Sequence, residues 1–314
     1  LRISTMSEIK VVIYGASVSA QSKDDSYWLK LSESLLRYNL DQGNEGQRIS
    51  LFRLVYPSSH ISDAGIANFD ILISLDPDIV ILDWLSTDEA FPCRSSLLYI
   101  YNELCDRGVK IITTAFPRLD SISSPTESYL YTRHLSSLCT QSFVDVIEYC
   151  NANNLSWSDV TRDGVHTNSF GAALYSNLVF KAILGLIIPT SPSQESFRQA
   201  IEASPAYLED PVKPYISIGS RIIGRELTIT PSQCLLLKLD IPPSFDAAAG
   251  NRISILCKQS IGPFSRQCCG SLGNLHSEIC LYDQWCHFTR FAYKPLLTME
   301  NAPEGVHTLK ITVS

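Results

Sequence analysis

The sequence lacks the features that mark several classes of protein. It has no excess of basic charge, because 25 Lys and Arg residues stand against 32 Asp and Glu residues, a formal charge of −7. All of this net acidity lies in residues 1–190, and neither part of the chain has a basic footprint, so we expect no nucleic-acid partner. The most apolar stretch, LVFKAILGLIIP at 178–189, contains Lys181 and ends at a proline. We therefore expect no membrane span.

Two further absences concern export and metals. The first ten residues, LRISTMSEIK, contain no apolar run of the kind that a secretory signal needs. This predicts a cytoplasmic protein, or an exported one if its N-terminus has been trimmed. The ten cysteines include no C-x-x-C pair, so we expect free thiols and no structural zinc site. No metal and no cofactor are predicted.

Residues 1–190 alternate short apolar runs with helix-like segments. Runs rich in β-branched residues predict strands at 9–15, 48–56, 78–85 and 110–116. Helix-like stretches lie near 25–40, 64–75, 94–107, 124–152 and 168–187. This alternation predicts an α/β domain of three layers, a parallel sheet with helices on both faces.

The pattern changes after residue 190. Residues 191–214 are rich in proline and serine and predict a linker. Beyond them, apolar runs and turn residues predict strands at 215–223, 226–231, 234–241, 252–258, 278–283, 287–293 and 307–313. Their spacing predicts an antiparallel β-sandwich over 215–314, an accessory domain to the first.

A small serine follows the first predicted strand. In VVIYGASVSAQS, at 11–22, the strand runs into Gly15, where the backbone must turn, and Ser17 comes next. Open α/β sheets bind ligands at the carboxyl ends of their strands, which makes Ser17 a candidate nucleophile. The alternative is that Ser17 caps the next helix, since serine is a favoured N-cap residue.

A second polar stretch supplies the partners that a nucleophilic serine needs. In TRDGVHTNSFGAALYSNLV, at 161–179, Asp163 and His166 are three residues apart, ahead of a helix that Asn168 or Ser169 would cap. A histidine must take the proton of the serine, and a carboxylate must fix the tautomer of that histidine. The pattern therefore predicts a Ser-His-Asp triad at one edge of the sheet. The alternative for Asp163 is an ordinary turn residue.

These stretches resemble the SGNH/GDSL hydrolase superfamily over about residues 9–188. YGASVSAQS is similar to the first block of the family at Ser17, and DGVHTNSFG is similar to its last block at Asp163 and His166. PDIVILDWLSTD, at 77–88, looks like the third block. The resemblance implies a flavodoxin-like fold, a serine nucleophile and ester chemistry through an acyl-enzyme. It does not cover the β-rich remainder of the chain.

The sequence departs from the family pattern around the expected oxyanion hole. Ala16 stands where the first block has an acidic residue, and Thr87 stands where the third block has an asparagine side-chain donor. The glycine of the second block falls near Ser58 or Ser59, where a backbone N–H is kept. The resemblance implies that the oxyanion donors are the Ser17 backbone N–H, one near Ser58 or Ser59, and the Thr87 hydroxyl.

Three further residues are candidates for substrate binding. They are His60 in the second-block loop, and Trp84 and Asp88 beside the third block. Each also has a structural interpretation: a surface or capping histidine, a core aromatic ring, and a solvated acidic loop.

The leading interpretation is a serine-dependent esterase that acts on an O-acetyl or other acyl ester of a carbohydrate. The sugar preference comes from the resemblance, because SGNH domains with an attached β-sandwich often act on glycans. One alternative is a carbohydrate O-acetyltransferase with the same triad and an acetyl donor such as acetyl-CoA. Another is a catalytically weak glycan-binding or scaffold protein. The expected partner is a small-molecule or glycan ester, with no prediction of oligomeric state.

Overall fold

The computed structural model describes ten ranges of the chain. They are residues 8–43, 47–87, 93–116, 127–138, 142–187, 234–241, 253–261, 267–281, 290–299 and 305–313. The chain divides into two compact units, Leu1–Asp210 and Pro211–Ser314. The predicted linker at 191–214 lies outside the described residues, so the predicted domain bounds of 1–190 and 215–314 stay predictions.

A parallel five-stranded sheet forms the centre of the first unit. Its strands are β1 (Glu8–Gly15), β2 (Arg48–Val55), β3 (Ile79–Asp83), β4 (Lys110–Ala115) and β5 (Ser142–Asp145). The strand order is β2-β1-β3-β4-β5 and every neighbouring pair is parallel, which is the flavodoxin-like order. The four predicted strands are confirmed. The sequence did not predict β5, because a four-residue edge strand carries too little apolar pattern to interrupt a helix predicted over 124–152.

Eight α-helices accompany this sheet in the described part of the unit. They are α1 (Ser17–Ala20), α2 (Tyr27–Gln42), α3 (Phe69–Ser74), α4 (Cys93–Asp106), α5 (Glu127–Leu138), α6 (Val146–Ala152), α7 (Trp157–Val160) and α8 (Ser169–Ile187). The helix predicted over 64–75 is divided, since a π-helical turn over Ile61–Gly65 precedes α3.

Side chains of β1 alternate between two covered faces. Val11 and Ile13 are fully buried in a cluster that contains residues of α2 and α8. Val12 and Tyr14 are also fully buried but project from the opposite face. There the Tyr14 hydroxyl donates a hydrogen bond to the carbonyl of Gly65, ahead of α3. The predicted three-layer arrangement, with helices on both faces of a parallel sheet, is confirmed.

Helix α8 is the one described helix that is long and apolar enough, on those two criteria alone, to cross a membrane. The apolar run at 178–189 did not show that the helix is this long, because the helix begins nine residues earlier, at Ser169. Tyr175, Val179 and Ile183 of α8 are fully buried in the same cluster as Val11 of β1. One face of α8 therefore packs on the sheet, and core helices also pass the same length and composition test.

The second unit contains two antiparallel sheets. Its described strands are β6 (Cys234–Ile241), β7 (Ile253–Ile261), β8 (Gln267–Leu272), β9 (Leu275–Cys280), β10 (Arg290–Met299) and β11 (Gly305–Val313). The four-stranded sheet has the order β6-β11-β8-β9, and β10 pairs with β7. The two sheets contact each other where Leu296 lies against Gly270, since a Cβ at Gly270 would fall 2.7 Å from Leu296 Cγ. The predicted antiparallel β-rich unit is confirmed, and the strands predicted at 215–223 and 226–231 lie outside the described residues.

Two glycines of α8 give a matched test of this packing. A Cβ at Gly171 would lie 1.9 Å from the carbonyl oxygen of Val160, whereas a Cβ at Gly185 would meet nothing within 4 Å. We expect Gly171→Ala to lower the free energy of unfolding by about 2 kcal/mol, because α7 or α8 must shift. Gly185→Ala should raise it by about 0.5–1 kcal/mol, since alanine is the better helix former. Urea denaturation measures both, and equal changes in the two variants would contradict the packing described.

Candidate active site

The segment that carries Ser17 leaves the sheet through a close contact between β1 and β3. A Cβ at Gly15 would lie 2.5 Å from the carbonyl oxygen of Asp83, so only glycine fits there. The Ala16 N–H donates to the same carbonyl at 3.0 Å. Ser17 then begins α1, with Ala16 rather than Ser17 at the N-cap position and no side-chain capping hydrogen bond. Helix capping therefore does not account for Ser17, whose side chain is half-buried.

The Asp163–His166 loop forms a hydrogen-bonded pair of the expected kind. Asp163 Oδ2 lies 2.8 Å from His166 Nδ1, and Asp163 Oδ1 accepts the His166 backbone N–H at 2.7 Å. Burial raises the pKa of Asp163, but the hydrogen bonds and charge of His166, together with the hydrogen bond from the Val165 N–H, outweigh burial and leave that pKa below its usual value. The carboxylate is thus ionised at neutral pH. With Nδ1–H donated to Asp163, the imidazole Nε2 is the atom that can accept a proton.

The loop is fixed at both ends by side chains around it. Gly164 adopts a φ of +85°, in the left-handed region that favours glycine, and its carbonyl accepts from the Trp157 indole N–H at 2.6 Å. At the far end, Asn168 Oδ1 accepts the Gly171 N–H at 2.8 Å, so Asn168 caps α8. Of the two predicted caps, Asn168 is confirmed. These contacts limit the freedom of His166, which lies between them.

One side chain joins the two candidate segments. Gln21, just after α1, donates from Nε2 to the Thr167 carbonyl at 3.1 Å. Its Oε1 accepts the Thr167 N–H at 3.2 Å, and the Thr167 hydroxyl lies 2.7 Å from this oxygen and 2.6 Å from the Asp25 carbonyl. Both side chains are buried, so water does not compete for these bonds. Gln21 lies four residues after Ser17 and Thr167 directly follows His166. The amide therefore ties the serine segment to the histidine loop, although among the described residues no hydrogen bond joins Ser17 to His166.

Arg53 of β2 lies against the carboxyl end of α1. Its guanidinium donates to the Ser19 carbonyl at 3.2 Å, and its Cζ lies 4.0 Å from the centre of the Trp28 ring. The Trp28 indole N–H donates to the Gln21 carbonyl at 2.9 Å. A cation and an indole thus satisfy carbonyls that a helix of four residues leaves without intrahelical partners.

A buried carboxylate holds α1 from inside the sheet. Asp83, at the end of β3, is fully buried and accepts a hydrogen bond from the Ser19 hydroxyl. Thr114 Oγ1 lies 3.3 Å from Asp83 Oδ1, and the Tyr27 hydroxyl lies 2.7 Å from Ser19 Oγ. Burial raises the pKa of Asp83 to about 6, against the opposing effect of the hydrogen bonds from Ser19, Thr114 and Tyr27.

The second-block loop follows β2 and contains three of the predicted site residues. Ser58 adopts a φ of +58°, a left-handed conformation that favours glycine, at the point where the resemblance places a glycine. Ser59 is 1% exposed, and its hydroxyl has no hydrogen-bond partner among the described residues. His60 is half-buried, and its backbone N–H donates to Asp63 Oδ1 at 2.6 Å. This contact is half of a capping box at the start of the π-helical turn, in which the His60 side chain accepts from the Asp63 backbone, so the capping interpretation of His60 is confirmed.

Of the third-block residues, Trp84 lies in the core, whereas the Thr87 side chain and Asp88 lie outside the described residues. Trp84 is 2% exposed, packs edge-on against Tyr14 at 5.3 Å and stacks with Tyr56 at 6.4 Å. This placement favours the core interpretation of Trp84 over a sugar-binding face. The backbone of Thr87 ends a short 3-10 helix over Leu85–Thr87, while the Thr87 side chain and Asp88 lie outside the described residues. Their predicted roles stay predictions.

Gln21, Thr167, Arg53 and Asp83 all contact the candidate segments, and sequence reasoning missed them. Only Asp83 gave a signal: a carboxylate at the end of an otherwise apolar strand. Gln21 lies 146 residues from Thr167, so no local pattern links the two.

Solved structures share this fold, whereas no family model and no curated protein matches the chain. A two-domain esterase active on acetylated mannans, crystallised with mannopentaose, aligns over 98% of this chain and 86% of its own, with 12% identity and a TM-score of 0.66. A second structure of a two-domain esterase active on acetylated mannans covers 98% and 87%, with 10% identity and a TM-score of 0.60. An acetyl xylan esterase covers 56% of this chain and 100% of its own, with 19% identity and a TM-score of 0.45. The first two likenesses confirm the fold that the resemblance implied.

The buried Asp83 carboxylate predicts a specific pH dependence of stability. Because its folded pKa of about 6 exceeds the unfolded value, the folded state binds more protons between about pH 4 and pH 6, and stability falls as the pH rises through that range. We expect the wild-type protein to gain about 1 kcal/mol, relative to Asp83→Asn, when the pH is lowered from 7 to 5. Urea denaturation at the two pH values measures this difference. Asp24→Asn, at an exposed position, should keep the wild-type dependence; if Asp83→Asn keeps it too, Asp83 is not the group responsible.

Proposed function

We propose that this protein is a serine-dependent esterase that removes an acyl group, most simply O-acetyl, from a carbohydrate. The proposal assigns Ser17 as nucleophile, His166 as general base and acid, and Asp163 as the residue that orients the imidazole. The observation that carries it is the 2.8 Å contact between Asp163 Oδ2 and His166 Nδ1. This contact presents the opposite nitrogen, Nε2, for proton transfer.

The proposed reaction has two acyl transfers. Ser17 Oγ attacks the ester carbonyl while His166 Nε2 takes its proton, and the resulting tetrahedral oxyanion collapses to an acyl-enzyme. His166 returns the proton to the sugar oxygen as the alcohol leaves. Water, deprotonated by His166, then attacks the acyl-enzyme and releases the carboxylic acid and free Ser17. Asp163 stabilises the imidazolium in both steps.

The oxyanion needs hydrogen-bond donors that are in place before the reaction. We assign the Ser17 backbone N–H, a backbone N–H at Ser58 or Ser59, and the Thr87 hydroxyl. The left-handed conformation of Ser58 supports the comparison of this loop with the glycine-bearing second block. Backbone donors do not depend on side-chain identity, so the exchange of that glycine for serine is compatible with the proposal.

The carbohydrate part of the proposal comes from the fold. The two structures that share the fold over 98% of this chain are of an esterase active on acetylated mannans. Because fold alone does not determine function, the Asp163–His166 geometry supports the ester chemistry and the likeness supplies only the substrate class. The imidazole of His60, in the second-block loop, would contact the sugar. Asp88 is proposed for the same role.

The direct test compares two serines of one segment. We expect a fluorophosphonate probe to label wild-type protein at Ser17, located by mass spectrometry, and Ser17→Ala to lose labelling and acetate release from an acetylated mannan or xylan. Ser22→Ala is the matched control, because Ser22 is exposed and makes no capping hydrogen bond. It should keep wild-type labelling and rate.

The same assay separates the alternatives. Acetyl transfer to an added sugar acceptor in place of acetate release would replace the esterase with the O-acetyltransferase. No labelling of folded wild-type protein would favour the catalytically weak binding or scaffold protein. Full activity in a folded Ser17→Ala variant would remove Ser17 as nucleophile.

A second prediction concerns Gln21 as a positioning residue for His166. Gln21→Ala removes the hydrogen bonds to the Thr167 backbone, so the loop that carries His166 is no longer tied to the segment that carries Ser17. We expect kcat on a short activated ester to fall on the order of 100-fold with little change in KM, as for a misplaced catalytic group. Gln42→Ala, at the exposed end of α2, is the control, and equal kcat in the Gln21→Ala and Gln42→Ala variants would refute this role.

A further inference from the structure

The β8–β9 hairpin of the second unit has two chemically different faces. A two-residue turn, Gly273 at φ +58° and Asn274, joins the strands, and antiparallel pairing sets Cys269 opposite Glu278 and Ser271 opposite His276. Residues directly opposite in such a pair project from the same face. Cys269, Glu278 and His276 therefore share one face of the hairpin.

The opposite face is the one that packs inside the unit. Cys268, Gly270 and Leu272 of β8 are buried, and Leu296 lies against Gly270. On the first face, Cys269 is half-buried while His276 and Glu278 are exposed. The thiol, an imidazole nitrogen and a carboxylate oxygen of these three residues all lie within 4.8 Å of one another. Cys269, His276 and Glu278 are called the hairpin cluster below.

We propose that the hairpin cluster binds a divalent transition-metal ion, Zn²⁺ in preference to Ca²⁺ or Mg²⁺. Thiolate, imidazole and carboxylate are the three donor types that zinc accepts in proteins, whereas calcium and magnesium take oxygen ligands. Tetrahedral ligands at zinc distances lie roughly 3.3–3.8 Å apart. Rotation of the two exposed side chains, His276 and Glu278, closes the remaining separation.

Water completes the tetrahedron as fourth ligand. On binding, the Cys269 thiol loses its proton to solvent and the thiolate takes its place in the coordination shell, with no redox step. Lys310 of β11 pairs with Ser271 and is exposed, so its cation opposes the metal and weakens the site. Among the described strands, β9 is the edge strand of its sheet and pairs only with β8. A metal bound by ligands on both strands would hold this edge strand in place.

The sequence predicted no metal because the ligands follow no familiar spacing. Cys269 and His276 are seven residues apart and His276 and Glu278 two apart, and only the hairpin register brings the three together. The proposal does not depend on the esterase activity, because the hairpin cluster lies in the second unit and metal binding is measured without substrate.

Cobalt titration of the full chain tests the proposal. Protein stripped of metal by a chelator should bind one Co²⁺ per chain. It should show the near-ultraviolet charge-transfer band of a cobalt–thiolate bond, and Zn²⁺ should displace the cobalt. Cys269→Ser should abolish the band, and His276→Ala or Glu278→Gln should raise the Co²⁺ dissociation constant at least 10-fold.

Cys280→Ser is the matched control. Cys280 is an exposed thiol on the same hairpin face, opposite Gln267, and its loss should leave the band and the affinity unchanged. Circular dichroism verifies that each variant keeps its β structure. A band that survives in Cys269→Ser, one that Cys280→Ser removes equally, or affinity unchanged in His276→Ala would overturn the proposal.

Discussion

The contact between Gln21 and Thr167 is the constraint on which the candidate site depends. Ser17 and His166 lie in segments about 150 residues apart in the chain. Both segments are short, so contacts with other residues must fix the position of one relative to the other. A primary amide offers a donor and an acceptor side by side, which matches the carbonyl and N–H of one backbone residue. By bonding Thr167 in this way, Gln21 fixes a distance and an orientation together, whereas an apolar contact would fix only proximity.

The short helix α1 shows why such ties are needed. A helix of four residues is far below the length at which helices are stable alone. Here the Ser19 hydroxyl is bound by the Asp83 carboxylate, and the Ser19 carbonyl is bound by the Arg53 guanidinium. The Asp83 carboxylate and the Arg53 guanidinium thus bind the side chain and the backbone carbonyl of the same residue, Ser19, in the single turn of α1. Ser19 and Asp83 are both buried, so they favour a single arrangement of α1, because an alternative would leave one of them unpaired.

Sequence reasoning found the elements whose signal is local. β1 and β3 are continuous runs of β-branched and other apolar residues, and they were predicted because a strand buried on both faces has that composition. The Asp163–His166 pair was found because both members lie in one loop. In contrast, the Gln21–Thr167 contact, the edge strand β5 and the hairpin cluster each depend on pairing between distant or weakly patterned segments. No period or spacing in the chain encodes such pairing directly.

The departure at Ala16 is compatible with the position of Asp83. Ala16 is fully buried, and its N–H donates to the Asp83 carbonyl. An acidic side chain at position 16, where the first block of the resembled family has one, would bury a second carboxylate in the turn whose backbone already contacts Asp83. Two neighbouring buried carboxylates cannot both ionise without a large cost. In this chain the buried carboxylate that binds α1 comes from Asp83 of β3, and the apolar side chain of Ala16 adds no second charge to the turn after β1. The carboxylate that holds Ser19 of α1 therefore belongs to β3, the strand next to β1, and the turn from Gly15 to Ser17 makes backbone contacts to the same residue, Asp83.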